Sequence, residues 1–377
     1  MIISDIINSM LINKKIAIVY DWIDKWGGVE RVLLTLHEMF PEAIFYTSYF
    51  DKNSASWAKD LNIKTSFLQK FPNFIKKSRI LSFIFYPFAF ESFDFSNYDL
   101  VISVTSSFAK SIITKPGTRH FCYLLTPTRY IWSHQYDYLR NKLISYLING
   151  CLDYVKKWDF VAGQRPDKII SISETVKNRC LKYYRRDSEV IYPGFDIKHW
   201  NDIKDQISKI LKNKKYFLVV SRLEQYKKVG LVVKVFNKLN DILIVVGEGT
   251  EGTKLKKMMG KNIILLSKLS DVELGIFYSN AQALIMPQEE DFGYVSLEAQ
   301  FFGCPVIAYK KGGVTETVID GKTGIFFNRQ EEVSLRRAIE RFSRIEYNLR
   351  KNVLEFGLVN IDRFSKKKFI DKFKQLI

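Results

Sequence analysis

Short apolar runs rich in β-branched residues recur along the chain in two successive series, and this recurrence restricts the fold more than any other feature. The first series holds IAIVY (16–20), LVISV (100–104), FCYLL (121–125) and KIISIS (168–173). The second holds YFLVVS (216–221), ILIVVG (242–247), NIILLS (262–267), ALIMP (283–287) and PVIAY (305–309). Runs that stay apolar at successive positions predict strands buried on both faces, as in a parallel sheet. Between them lie segments of helical period, such as KKVGLVVKVFNKL (227–239) and EVSLRRAIERF (332–342). Strand alternating with helix predicts right-handed βαβ units, so the chain reads as α/β with doubly wound, Rossmann-like sheets. The series then restarts, because a strand ending in YPGFD (192–196) is followed by a polar, lysine-rich stretch before YFLVVS begins. A boundary between Asp196 and Lys214 follows. It gives two domains facing across a cleft, since such sheets bind ligands beyond the carboxyl ends of their strands.

Hydrophobic residues at 47% and charged residues at 26% of 377 are the proportions of a folded globular chain with room for two cores. The formal net charge of +18 points to an anionic partner: nucleic acid, acidic lipid headgroups or a phosphorylated ligand. No nucleic-acid module supports the first of these. Cys122, Cys151, Cys180 and Cys304 are widely spaced in apolar contexts, which predicts buried free thiols in a reducing compartment. The opening MIISDIINSMLINKK carries Asp5 within its apolar stretch and lacks a basic leading region, a poor signal peptide. No apolar run nears the ~20 residues of a spanning helix. A cytoplasmic chain is expected.

Candidate chemistry lies where strands should end. After IAIVY, Gly27 and Gly28 precede a segment with apolar Val29, Val32, Leu33, Leu36 and Phe40. Such a pair either lets backbone N–H groups approach a phosphate or makes a tight strand-to-helix turn. After YFLVVS stand Arg222, Lys227 and Lys228. A forked guanidinium directly beyond a buried strand, with a lysine at the next helix start, suits a diphosphate. Cations there oppose the helix dipole, which weakens the reading of a merely solvated basic turn. After ALIMP, Gln288 to Asp291 read as a loop and Gly293 or Tyr294 as the start of a helix to about Phe302. Amides around Phe292, Gly293 and Tyr294 would suit an anionic oxygen. Glu290 and Glu298, in this loop and helix, could each hold a vicinal diol. A sugar nucleotide offers a diol at each end with a diphosphate between. Taken alone, Glu298 is equally an ordinary helix glutamate.

Together these motifs resemble retaining glycosyltransferases of family 4, with the GT-B fold. The family's E-x7-E pattern stands at Glu290 to Glu298, followed by FFGCPVIAYKKGGVTETVIDGKTGIFF (301–327); VSRLEQYKKV, VGEGTEGTKLKKM (246–258) and GGVERVL fit as well. CYLLTPTRYIW (122–132) and IYPGFD (191–196) are similar to segments of bacterial transferases that build cell-surface polysaccharide, many of them mannosyltransferases. The resemblance implies a hexosyltransferase that moves a hexose, mannose favoured, from a nucleoside diphosphate sugar, GDP-mannose favoured, to a growing, lipid-linked surface polysaccharide. It implies an acceptor-side domain over 1–195, a donor-binding domain over 196–358 and a C-terminal helix over 359–377 crossing back to the first. Arg222 and Lys227 would bind the diphosphate, with Lys228 a rival for the second role. Glu290 would hold the hexose, Glu298 the ribose, and the amides of Phe292, Gly293, Tyr294 and Val295 hexose and phosphate. Gly27 and Gly28 would close over the diphosphate. Neither metal nor cofactor is implied, and nothing resembles a DxD motif or a zinc spacing.

One departure stands out. Many relatives carry a histidine before Thr-Pro where this chain has Leu125, which leaves Arg129 or Tyr130 as acceptor-side candidates; His120 and His134 are close in sequence but do not match the position. A degenerate protein that binds sugar nucleotide without turnover is the alternative this raises. A GT-B epimerase would not explain the E-x7-E placement, and a dehydrogenase fails because no G-x-G-x-x-G opens the first helix. From Leu61 to Phe90 no acidic residue occurs, while Lys64, Lys70, Lys76, Lys77 and Arg79 interleave with phenylalanines. This suits docking on an anionic membrane, at the inner face of the cytoplasmic membrane, or else a phenylalanine-rich core hairpin with solvated lysines.

Overall fold

The computed structural model describes residues 14–78, 82, 84–133, 153–207, 216–267 and 269–377. The opening segment, Arg79, His134, Cys151 and the 208–214 part of the expected boundary lie outside these. The chain divides into two compact units, Met1–Gly194 with Phe369–Ile377, and Phe195–Lys368. Phe195 falls in the second because its backbone N–H bonds to Phe364 O at 2.7 Å and it bridges Ser365. The long helix Glu332–Asp362 runs past 359 before the chain turns, and the last helix is Lys366–Leu376. In that helix Phe369 and Phe373 stand 5.7 and 6.1 Å from the Tyr123 ring within the first unit.

The first unit holds a seven-stranded sheet in the order β3-β2-β1-β4-β5-β6-β7, with every pairing parallel. Its strands are β1 Ile16–Tyr20, β2 Ile44–Thr47, β3 Ile63–Thr65, β4 Leu100–Thr105, β5 Arg119–Leu124, β6 Lys168–Ser171 and β7 Glu189–Val190. All residues of β1 and β4 are buried, as continuous apolar runs require when helices cover both sheet faces. The short strands β3 and β7 at the sheet's edges carry polar residues, which is why no apolar run marks them.

The second unit holds six parallel strands in the order β10-β9-β8-β11-β12-β13. They are β8 Phe217–Val220, β9 Leu243–Val246, β10 Ile263–Leu266, β11 Ala283–Met286, β12 Val306–Tyr309 and β13 Gly324–Phe327. The helix Val229–Phe236 packs its valines and Phe236 against the sheet, together with Leu335, Ile339 and Phe342 of the long helix.

Both strand orders reverse direction once. In the first unit the chain winds outward from β1 one way and from β4 the other; in the second the reversal lies between β8 and β11. At such a reversal the loops beyond neighbouring strands diverge and leave a crevice at their carboxyl ends. The doubly wound α/β class read from the alternation is the one observed.

Candidate active site

Beyond β8, Ser221 to Glu224 lead into a tight turn over Gln225–Lys227, then into the helix Val229–Phe236. Arg222 is exposed and donates from Nη2 to Tyr226 OH at 2.7 Å. Lys227 is buried at 8% exposure. Lys228 takes a left-handed backbone, φ 54°, at the helix N-cap, a conformation costly for a side chain with a Cβ. The turn reverses the chain so that Lys227, rather than Lys228, reaches the loop beyond β11. There its Nζ donates to Glu290 Oε1 at 2.6 Å. The neighbouring strands β8 and β11 thus deliver a cation and a carboxylate to the reversal point.

The helix beyond β11 is Tyr294–Phe301, with Gly293 at its N-cap in the left-handed region, φ 97°, and no side chain capping it. Its leading amides Phe292, Gly293, Tyr294 and Val295 sit on the same loop as Glu290. The Phe292 ring is buried, 5.2 Å from Tyr294 and 5.5 Å from Phe364. Glu298 is buried as well, and a buried carboxylate needs partners; Tyr278 OH donates to its Oε2 at 2.8 Å. Ser296 and Gln300 of this helix are paired with the elements around it. Ser296 Oγ pairs with Thr317 Oγ1 at 2.7 Å, and Gln300 Nε2 donates to Ser296 O and Thr317 O at 2.9 Å each. Asn360 Nδ2 completes the set by donating to Gln300 Oε1 at 2.9 Å. The helix is therefore fixed on its inner side by polar contacts that leave little freedom to shift.

Several supporting residues were not among the candidates. Gln288 is buried and donates from Nε2 to Glu290 Oε1 at 2.7 Å, while its Oε1 has no partner among the described residues. Gly312, φ 84°, bridges Glu290, and a Cβ there would stand 2.3 Å from Glu290 O. Gly313 donates to the same carbonyl at 2.8 Å. The glycine pair thus seats the Glu290 loop, and a KGGV stretch beyond a buried strand was the signal available. Gly247, Gly249 and Gly252 form a G-x-G-x-x-G beyond β9. Leu223 N donates to Glu248 O at 2.8 Å and Thr250 Oγ1 to Glu224 Oε2 at 2.6 Å, so this loop braces the one carrying Arg222.

In the first unit, Gly27 caps the helix Gly28–Met39 with an extended backbone, and the Glu30 carboxylate lies beside it. Glu30 is buried, accepts from Tyr20 OH at 3.3 Å, and has its pKa raised by burial. The position before Thr-Pro, Leu125, is a buried apolar residue next to the end of β5. Arg129 opens the short helix Arg129–Trp132, and Tyr130 OH pairs with Ser107 Oγ. Burial raises the Tyr130 phenol well above its ordinary pKa. Two buried carboxylates with no motif around them organise this end of the sheet. Asp21, directly beyond β1, accepts from the backbone of Ser106, Phe108 and Ala109 at 2.8, 2.9 and 2.8 Å and from Thr105 Oγ1 at 2.8 Å. Burial still raises its pKa, against the pull of those donors. Asp159 accepts from Lys110 Nζ at 2.7 Å, Thr128 Oγ1 at 2.8 Å, Trp132 Nε1 at 2.7 Å and Tyr184 OH at 2.9 Å. His120 is fully buried with Nε2 2.8 Å from Ser103 Oγ, inside the sheet. Cys122, Cys180 and Cys304 are buried free thiols, as their contexts predicted.

Comparison with known proteins shows what the second unit resembles. Residues 201–357 match the family model for glycosyl transferases group 1. This stretch resembles a group 1 glycosyltransferase domain. An uncharacterized glycosyltransferase of Methanocaldococcus jannaschii is 28% identical over 231 residues, which span 56% of this chain and 58% of that protein. An alpha-1,3/1,6-mannosyltransferase of Homo sapiens is 27% identical over 219 residues, 51% of this chain and 52% of that protein. The matches therefore span little more than half of these relatives. Among solved structures, the sucrose-phosphate synthase of Thermosynechococcus elongatus superposes with a TM-score of 0.72 at 17% identity, covering 96% of this chain and 98% of that one. Anabaena HepE in complex with UDP superposes at 0.68 with 18% identity, covering 96% and 99%. At such identities the likeness concerns the fold, which is GT-B.

Proposed function

We propose that the chain is a retaining glycosyltransferase of family 4 that moves a hexose from a nucleoside diphosphate sugar to a growing, lipid-linked surface polysaccharide. The observation that carries this reading is the Lys227–Glu290 pair at the reversal point of the second sheet, with Arg222 on one flanking loop and the start of the helix Tyr294–Phe301 on the other. Arg222 and Lys227 bind the donor diphosphate, with Lys228 beside them, and stabilise it as it departs; Glu290 takes the hexose hydroxyls and Glu298 the ribose. Two cations and preorganised amides aimed at a leaving diphosphate supply the electrostatic stabilisation that accounts for most of the rate in such sites. In the first unit the sequence resemblance makes Gly27 and Gly28 donor-side candidates and Arg129 and Tyr130 acceptor-side candidates. Mannose from GDP-mannose is favoured by the sequence resemblance and by the human relative's activity; the UDP complex of HepE makes uridine nucleotides the competing donor. No metal is needed, since cations and amides neutralise the diphosphate.

The test is a thermal-shift panel with GDP, UDP and ADP and their sugars, because selective binding to the native state raises its melting temperature. One nucleotide family should stand apart. Glu290→Ala and Arg222→Ala should each abolish transfer with the fold intact. Full activity in both overturns the assignment. Donor hydrolysis without acceptor separates an active transferase from a protein that binds and does not turn over.

A further inference from the structure

The long helix Glu332–Asp362 does more than cover the second sheet. Its first half sends Leu335, Ile339 and Phe342 into the core, and its second half turns Leu349, Val353, Gly357 and Ile361 inward. A separate apolar line runs along the outer side of the later turns. Tyr347 is 82%, Leu354 70% and Leu358 48% exposed. At about 100° per residue these three positions fall within about 40° of one another, so they share one face. Leu354 is seated rather than loose, because a Cβ on Gly303 would stand 2.9 Å from its Cδ2.

Charges border this line in an ordered way. Arg344 and Lys351 are exposed along its N-terminal part, Glu355 and Asp362 along its C-terminal part. Consider a second such helix laid antiparallel on the first, with a two-fold axis between Asn352 and Val353. Tyr347 then faces Leu358 of the other copy, and Lys351 faces Leu354. The same register sets Lys351 beside Glu355 of the other copy, and Arg344 beside Asp362, which in its own chain meets Lys368 at 2.6 Å on the surface. Every such pairing occurs twice about the axis. A parallel arrangement would instead bring Lys351 to Lys351 and Glu355 to Glu355.

We infer that the Tyr347, Leu354 and Leu358 face of the long helix is a self-association surface, covered by a second copy of this chain in an antiparallel helix pair. The charge order along the line is its own complement when the copy is reversed, which fixes both register and direction. The carboxylates of Glu355 and Asp362 beside it work against an anionic bilayer as the occupant. From Arg344 to Asp362 the face is about 27 Å long, which places it at the small end of specific interfaces. The dimer is therefore reversible, with Kd on the order of 10 μM. This face belongs to the second unit, and association through it does not rest on the transferase activity.

The experiment is sedimentation equilibrium of the full chain between about 1 and 100 μM, in which the mass should climb from one chain toward two. A Leu354→Ser/Leu358→Ser variant should weaken association at least about tenfold, from the apolar area withheld. Val359→Ser should leave it unchanged, since Val359 is 70% exposed but falls off the line. Lys351→Glu should weaken association about tenfold, because it sets carboxylate against Glu355 at two places, and Glu355→Lys should do the same with the signs reversed. The exchange Lys351→Glu/Glu355→Lys should bring Kd back to within about threefold of the unsubstituted chain. Damage to the fold would not be undone by that exchange, and the thermal melt of each variant checks it separately. A chain that stays monomeric at about 100 μM, a leucine variant that associates in full, or an exchange that restores nothing overturns the inference. So does co-sedimentation with phosphatidylglycerol vesicles that the leucine variant abolishes, which would assign the face to a bilayer.

Discussion

Glu290→Gln, Lys227→Met and the double variant ask whether the pair at the strand reversal is one coupled unit. The two side chains are 10% and 16% exposed, with 2.6 Å between Nζ and Oε1. Removing one partner of a fully buried pair costs about 3–5 kcal/mol, because the other charge is left unpaired in low dielectric. Here residual exposure lets water reach the remaining group, and Glu290 keeps the Gln288 amide, so about 2–3 kcal/mol is expected for either single variant. For a unit of this size that lowers the melting temperature by roughly 5–10 °C. The double variant has no orphaned charge and should recover most of the loss, giving a coupling energy of at least about 1.5 kcal/mol. Nucleoside diphosphate adds a second readout. Glu290→Gln releases the Lys227 charge for the diphosphate, so GDP or UDP should raise the melting temperature more in this variant than in the unsubstituted protein, and less in Lys227→Met. The assays are urea and thermal melts with and without nucleotide. Additive single variants, with coupling below about 0.5 kcal/mol, would refute the energetic reasoning. An unchanged nucleotide shift in Lys227→Met would refute the role of that lysine.

Other outcomes follow from the same structure. Gly312→Ala places a Cβ 2.3 Å from Glu290 O at φ 84°, and should destabilise the second unit by about 2–4 kcal/mol while weakening nucleotide binding through the displaced Glu290 loop; an unaltered melt would show that the loop yields freely. Asp159→Asn breaks a pair whose side chains are 0–1% exposed and should cost about 3–5 kcal/mol in urea unfolding of the first unit, with Lys110→Met/Asp159→Leu recovering part of it. Burial lowers the His120 pKa to about 3, with Arg186 and Arg165 adding to the effect. The folded histidine thus stays neutral where the unfolded one protonates, so its stabilising contribution is present above about pH 6.5 and is lost as pH falls. Between pH 7 and 5 the loss should be about 2 kcal/mol, and His120→Gln should flatten that part of the stability profile.

Most of the architecture was legible because fully buried strands leave continuous apolar runs. IAIVY, LVISV, YFLVVS, ILIVVG and ALIMP became β1, β4, β8, β9 and β11 nearly residue for residue. The edge strands β3 and β7 were not, since they are short and carry Lys64 and Glu189. In the second unit the strand-end loops were legible as candidates, and the fold brings Lys227 and Glu290 together across 63 positions of sequence. The bracing glycines escaped notice because their partners are backbone groups on other loops, and Gln288 because its partner is the Glu290 carboxylate beside it. Asp21 and Asp159 escaped for a related reason. An aspartate beyond a strand, as Asp21 is, or within a helix, as Asp159 is, reads as solvated unless one knows which donors close over it.

What the sequence determined alone is therefore local and periodic: which segments are strands, where they end, and which charged side chains stand at those ends. The tertiary structure decided the order in which the strands pair, and with it which ends become neighbours. Pairing order depends on packing between segments far apart in the chain, where loop closure costs little free energy for added length and local periodicity carries no information. The Lys227–Glu290 contact and the Asp159 hub exist only after that choice has been made, because each is an electrostatic gain realised by burying groups that the sequence keeps dozens of residues apart.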